Sequence, residues 1–181
     1  MDTTQQQKTS TDRARPVPFY RDWLLGATFA VILVADQITK AVVRATLELG
    51  ESWPTTGLFR FTHVSNTGGA FGRFQDQTII LTIASVVAIG FIMYFYRNQT
   101  QSKWITRLTI GLLLGGAFGN LIDRLMAGKV TDFFDVGWWP IFNIADSSIV
   151  VGMTLLIATL ILTPEDSPES ESLPQATERD S

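Results

Sequence analysis

A chain of 181 residues with 46% hydrophobic content and a formal net charge of −3 is long enough for one domain. It has no cysteine and a single histidine, which excludes disulfides, thiol catalysis and Cys/His zinc sites. The charge says little about partners, because it comes largely from the C-terminal tail, and no nucleic-acid partner is expected.

Residues 1–22 form a polar N-terminal segment, expected to be cytoplasmic. No small-residue cleavage site follows the first apolar run, so that run is expected to stay as an anchor and not to be removed as a signal peptide. Four long, nearly uncharged stretches then follow, at residues 23–43, 78–96, 105–122 and 144–162. Each approaches the roughly 20 apolar residues that a hydrocarbon core requires of a helix. The predicted fold is an all-α integral membrane protein: four transmembrane helices in a domain spanning 23–162, with a small β-rich extracytoplasmic segment at 45–77. Residues 163–181 (TPEDSPESESLPQATERDS) are acidic, rich in Pro and Ser and without aromatics, the composition of a disordered tail.

Within 45–77, LFRFTHV alternates apolar and polar residues as a strand does. SNTGGAFG after it is a Gly-rich turn that lets backbone approach a ligand closely. Trp138 and Trp139 precede the fourth stretch, where an interfacial belt is expected.

Four spans place both termini on one side. Arg13, Arg15 and Arg21 before the first span, and Arg97, Lys103 and Arg107 around the short connection, favour that side as the cytoplasmic one. The unusual polar residues then gather at the opposite face: Asp36 and Lys40 late in the first span, Asn66 in one outer connection, Asn120, Asp123 and Arg124 ending the third span, Asp132 in the other outer connection, Asn143 and Asp146 opening the fourth span. The inner halves of the spans are almost purely apolar. One outer-face site is therefore expected.

Carboxylates at a membrane are costly and mark function by default. Two brought together can share one proton, which is the chemistry of an aspartyl protease. Asp132 and Asp146 suit that role if the fold joins them. From the residues alone other readings stay open. Asp146 and Asn143 can simply cap the fourth helix, Asn66 can be an ordinary turn residue, and Arg124 can be a snorkelling interfacial arginine. Asp135 competes with Asp132 on equal chemical terms. Asp36 and Lys40, four residues apart, can pair on one helix face. Gly115, Gly116 and Gly119 suit close helix packing. A small transporter would place ionisable groups at several depths, which this chain does not; a non-enzymatic tetraspan would leave Asp132, Asn143 and Asp146 unexplained.

Five local motifs occur in order: DQITK at 36–40, NTGGAFG at 66–72, GGAFGNLIDR at 115–124, VTDFF at 130–134 and FNIADS at 142–147. On these the chain resembles lipoprotein signal peptidase (signal peptidase II), an aspartyl membrane protease family of bacteria, over roughly 23–162. One departure is Gly69, where the family usually has alanine. The resemblance selects Asp132 over Asp135 and implies a catalytic pair of Asp132 and Asp146. It implies substrate-binding or supporting roles for Asn66, Gly68, Asn120, Arg124, Asn143, Asp36 and Lys40. It further implies diacylglyceryl-modified prolipoproteins as substrates, cut before the lipidated cysteine. Membrane lipids and globomycin-type inhibitors are implied partners, with no metal or other cofactor. The location implied is the bacterial cytoplasmic (inner) membrane, and a monomer is expected.

Overall fold

The computed structural model describes residues 22–68, 77–98 and 103–162. The expectations for the N-terminal segment before Asp22, for Gly69 and the rest of the Gly-rich turn, and for the acidic tail lie outside these residues. In chain order the elements are α1 (Trp23–Thr46), β1 (Ser52–Trp53), β2 (Arg60–Asn66), α2 (Gln77–Arg97), α3 (Trp104–Ala127), β3 (Val130–Asp135) and α4 (Ile144–Leu162). All four helices are long and apolar enough to cross a membrane.

α3 is the central helix. Of its most apolar stretch 61% is buried, against 17% or less for the other three, and it packs against α1, α2 and α4. Small residues make this possible. A Cβ on Gly115 would lie 2.8 Å from Cβ of Ile32 on α1, and one on Gly116 would strike the Ala145 carbonyl oxygen on α4. Lipid tails are as apolar as leucine, so helices in a bilayer associate through such close packing. The outward face of α2 carries Ile79, Ile80, Ile83, Val87 and Phe91, all exposed, as hydrocarbon contact requires. At one end of the bundle Asp22 caps α1 by accepting from the Leu25 N–H at 3.3 Å. It also accepts from the Tyr96 hydroxyl at 2.5 Å and pairs with Arg107 at 3.2 Å, so α1, α2 and α3 are tied there.

The other end carries an antiparallel sheet in the order β1-β2-β3. The sequence pattern places β structure only between α1 and α2, yet β3 comes from the connection between α3 and α4. VTDFFD shows no alternation because both its faces are covered: every residue but Phe134 is buried. β2 pairs Phe61 with Phe134 and Val64 with Asp132, so three steps on β2 match two on β3, a bulge. α3 runs five residues past the apolar stretch read from sequence. It ends at Gly128, whose φ of 69° is left-handed and whose N–H bonds the Arg124 carbonyl. Asp123 and Arg124 are therefore helical, and Asp123 is buried.

After β3 the chain doubles back. Phe142 exchanges hydrogen bonds with Phe134 (2.7 and 3.2 Å) and its carbonyl also accepts from the Phe133 N–H at 3.0 Å. Phe133, Phe134, Phe61 and Phe142 form a ring cluster with neighbouring centroids 4.7–6.4 Å apart. This return brings the start of α4 beside the middle of β3.

Candidate active site

Asn143 is the N-cap of α4 and Asp146 its third residue. The Asn143 Oδ1 accepts from the Asp146 N–H at 2.9 Å, and the Asp146 Oδ2 accepts from the Asn143 N–H at 3.2 Å. That is a reciprocal capping arrangement, which satisfies two donors of the helix start. Asn143 also faces β3: its Nδ2 donates to Oδ1 of Asp132 at 2.6 Å. The cap and the site are thus one device. Because Asn143 Oδ1 is engaged by a backbone N–H, only its NH2 can turn toward Asp132.

Asn66 repeats the logic at the end of β2. Its Oδ1 accepts from the Gly68 N–H at 2.8 Å, and its Nδ2 donates to Oδ2 of Asp132 at 2.9 Å. Gly68 makes this turn with a φ of 93°, and a Cβ there would strike Leu81 on α2. Asp146 receives a second donor from Asn120 on α3, whose Nδ2 lies 2.7 Å from its Oδ1. Each aspartate thus holds two N–H donors, and Asn143 serves both.

The environments of the two differ. Asp132 is 2% exposed. Burial pushes its carboxyl up to about 6; the Asn66 and Asn143 amides act against that rise, while the Asp146 charge adds to it. Asp146 is half-buried and sits in the first turn of α4.

Arg124 is half-buried on α3 and its charge interacts with those of Asp146 and Asp132. Its hydrogen bonds to the Ser85 hydroxyl and the Asn120 carbonyl are long, at 3.4 and 3.5 Å. Asp36 and Lys40 pair at 2.9 Å with no exposure of either side chain. Asp135 belongs elsewhere. Three residues from Asp132 on the same strand, it pairs with Arg60 at 2.8 Å and accepts from the Thr62 hydroxyl at 2.9 Å and the Gly137 N–H at 2.8 Å. The Gly137 hydrogen bond, more than the Thr62 and Arg60 contacts, holds its carboxyl below the usual carboxylate range.

The family model for signal peptidase (SPase) II matches residues 28–162. The chain belongs to the signal peptidase II family. It is 38% identical over 151 residues to a lipoprotein signal peptidase of Desulfitobacterium hafniense, covering 82% of this chain and 99% of the relative. It is 41% identical over 133 residues to one of Fusobacterium nucleatum, covering 71% and 81%. A bacterial membrane enzyme solved in meso at 2.3 Å superposes with a TM-score of 0.74 at 29% identity, covering 84% of this chain and 96% of that one. A second, at 1.9 Å, gives 0.73 at 30% identity, covering 80% and 96%. Family membership implies a peptidase and supports cleavage of prolipoprotein signal peptides.

Every site residue named from the signal peptidase II motifs lies at the sheet end of the bundle: Asp132, Asp146, Asn143, Asn66, Gly68, Asn120, Arg124, Asp36 and Lys40. Three others join them. Asp123 is buried and accepts from the Thr131 N–H at 3.1 Å, pairs with Lys40 at 3.3 Å and faces Arg44 at 3.6 Å. Gln37 donates to the Gly119 carbonyl at 3.1 Å and to Asp36 at 3.2 Å. Asp123 is already among the polar residues that the sequence gathers at this face, and Gln37 sits inside a quoted motif within reach of the same reasoning. Arg44 carries no sequence signal, since it reads as one more basic residue at a helix end.

Proposed function

We propose that the chain is an aspartyl endopeptidase that removes the signal peptide from diacylglyceryl-modified prolipoproteins, cleaving before the lipidated cysteine. The observation that carries it is the single Asn143 side chain and N–H holding Asp132 and Asp146 together. Two carboxyl groups in mutual electrostatic reach share a proton, as one acid and one base.

The roles follow from the surroundings. Asp132, buried and with its proton affinity raised, is the acid. Asp146, more open and at a helix N-terminus, is the base. Asp146 takes a proton from water as the water oxygen attacks the scissile carbonyl carbon, and Asp132 gives its proton to the carbonyl oxygen. The tetrahedral diol then collapses. The C–N bond breaks, Asp146 returns its proton to the leaving amine, and a diol proton goes back to Asp132. The starting protonation state is restored with no external acid or base. The long hydrogen bonds of Arg124 leave its guanidinium ready to hold a polar group of the bound substrate.

The sheet end is taken as the extracytoplasmic face of the bacterial cytoplasmic membrane, with both termini cytoplasmic. Exposed Trp53, Trp138 and Trp139 at that end, and Trp23 and Trp104 at the other, fit aromatic belts at the two interfaces, and Arg97 and Arg107 at the end opposite the sheet support that end as the cytoplasmic one. Globomycin-type cyclic peptides are expected to block the site, bilayer lipids to surround it, and one chain to suffice. The test is cleavage of a diacylglyceryl-modified prolipoprotein by the purified protein in detergent, with the new N-terminus read directly. A lipidated cysteine at that terminus supports the proposal; cleavage elsewhere, or none by a folded protein, overturns it.

A further inference from the structure

Asp36 and Lys40 lie on α1, with Asn120 between Lys40 and Asp146, and no proton transfer passes through them. Lys40 is nonetheless a fully buried cation. Its Nζ lies 2.9 Å from Asp36 Oδ2 and 3.3 Å from Asp123 Oδ2, and donates to Asn120 Oδ1 at 2.9 Å. These three partners use all three donors of an ammonium.

An ammonium can only donate, so the atom of the Asn120 amide that faces it must be the oxygen. The Asn143 Nδ2 reaches the same oxygen at 3.1 Å. The NH2 of Asn120 is left pointing at Asp146, 2.7 Å from Oδ1. The flipped amide has nearly the same shape, but it would set NH2 against an ammonium and oxygen against a carboxylate. The other oxygen of Asp36 accepts from the Ala145 N–H at 3.0 Å, fixing the residue just before Asp146. α1 therefore grips Asp146 twice, through the Asn120 side chain and through the backbone of α4.

We propose that Lys40, held by Asp36, is a positioning residue that locks the Asn120 amide with its NH2 on Asp146, so that this carboxylate is held as a proton acceptor facing the water. The proposal rests on the Asp132–Asp146 peptidase reading. Buried ion pairs seldom add net stability over apolar replacements, so a purely scaffolding pair would be replaceable without loss of turnover. A lock on the amide would not be.

The experiment uses the full chain in detergent with a diacylglyceryl-modified prolipoprotein. Asp36→Asn/Lys40→Met removes both charges of the pair together, leaving Asp123 its Arg44 and Thr131 contacts. Expected is a fall in kcat of up to about 100-fold, the scale that misplacing a reacting group by about 1 Å costs, with KM within about 2-fold, since only an interaction of the chemical step is removed. On an Asn120→Ala background the same pair of changes is expected to cost little more, because the route through Asn120 is already gone and the amide oxygen that Asp36→Asn retains still serves the Ala145 N–H. Wild-type kcat in the charge-free variant, or losses that multiply on the Asn120→Ala background, would overturn the lock. If the charge-free variant does not fold, Asn120→Asp decides. It keeps Lys40 paired but offers Asp146 no N–H, and turnover at the wild-type rate would overturn the proposal. Absence of cleavage by the wild type itself would instead sink the peptidase reading, so the two failures are distinct.

Discussion

Asn143 Nδ2 lies 2.6 Å from Oδ1 of Asp132, and the same residue caps the helix that carries Asp146. The contact to Asp132 and the helix cap are therefore made by one side chain, and mutation can separate them. Asn143→Ala is expected to lose both, with a stability cost of about 0.5–2 kcal/mol from the missing cap. Asn143→Ser keeps a capping oxygen for the Asp146 N–H but has no NH2 for Asp132. Its thermal stability is expected to lie above that of Asn143→Ala while kcat stays low. Thermal melting beside steady-state kinetics checks this; recovery of turnover by Asn143→Ser would show that donation to Asp132 is dispensable.

The pH dependence follows from Asp132. Its carboxyl is raised from the usual 3.8 to about 6, mainly by burial. Below that value it holds the proton it must donate; above it the proton is lost and the acid with it. The alkaline limb of kcat/KM is therefore expected near pH 6, with activity falling as pH rises through it, and the apparent value belongs to the pair. Bound substrate excludes more water and disfavours the anion further, so the alkaline limb of kcat is expected at higher pH. A kcat limb below that of kcat/KM would contradict the assignment of Asp132 as acid.

Asp135 provides the control. It pairs with Arg60 and Thr62 and not with the aspartate pair. Because its carboxyl is held below the usual range, its stabilisation is present above the ordinary carboxylate pKa and is lost as pH falls through the depressed one. Asp135→Asn is expected to lower the melting temperature at pH 7, with the difference from wild type shrinking in acid, and to leave kcat within about 3-fold, since it removes no interaction with the reacting groups. A collapse of kcat without a change in melting would place Asp135 in the chemistry.

The helix contact beneath the site is equally testable. A Cβ on Gly116 would strike the Ala145 carbonyl oxygen and the Ser148 hydroxyl. Gly116→Ala is expected to push α4 from α3, costing about 1–3 kcal/mol as overpacking does, and to lower kcat by moving Asp146 against Asp132. Melting in detergent and single-turnover cleavage measure the two effects. An unchanged melting temperature would mean that the helices part without cost.

The four spans were legible because the bilayer imposes a length and an apolarity that no local context overrides. The i, i+4 spacing of Asp36 and Lys40 foretold their ion pair, and Gly115 and Gly116 foretold close helix contacts. β3 was not legible. VTDFFD is buried on both faces, so the two-residue period that reveals β2 is absent from it. The full extent of α3 was also hidden, because charged Asp123 and Arg124 break the apolar pattern while their partners, Lys40 and Arg44 for Asp123 and Ser85 for Arg124, come from distant parts of the chain. Capping α4 and contacting Asp132 were not alternatives for Asn143, since a side chain with one acceptor and two donors makes both contacts. Chemistry alone left Asp132 and Asp135 equal; the Arg60 partner that separates them comes from another strand.

The central claim is that Asp132 and Asp146 act as one acid–base pair. Its most direct test is cleavage of a diacylglyceryl-modified prolipoprotein by the wild type, Asp132→Asn and Asp146→Asn proteins, each shown folded by its melting curve. Release of a product beginning at the lipidated cysteine by the wild type alone, with no detectable turnover by either variant, is the predicted result. Substantial turnover by either folded variant would contradict the pair.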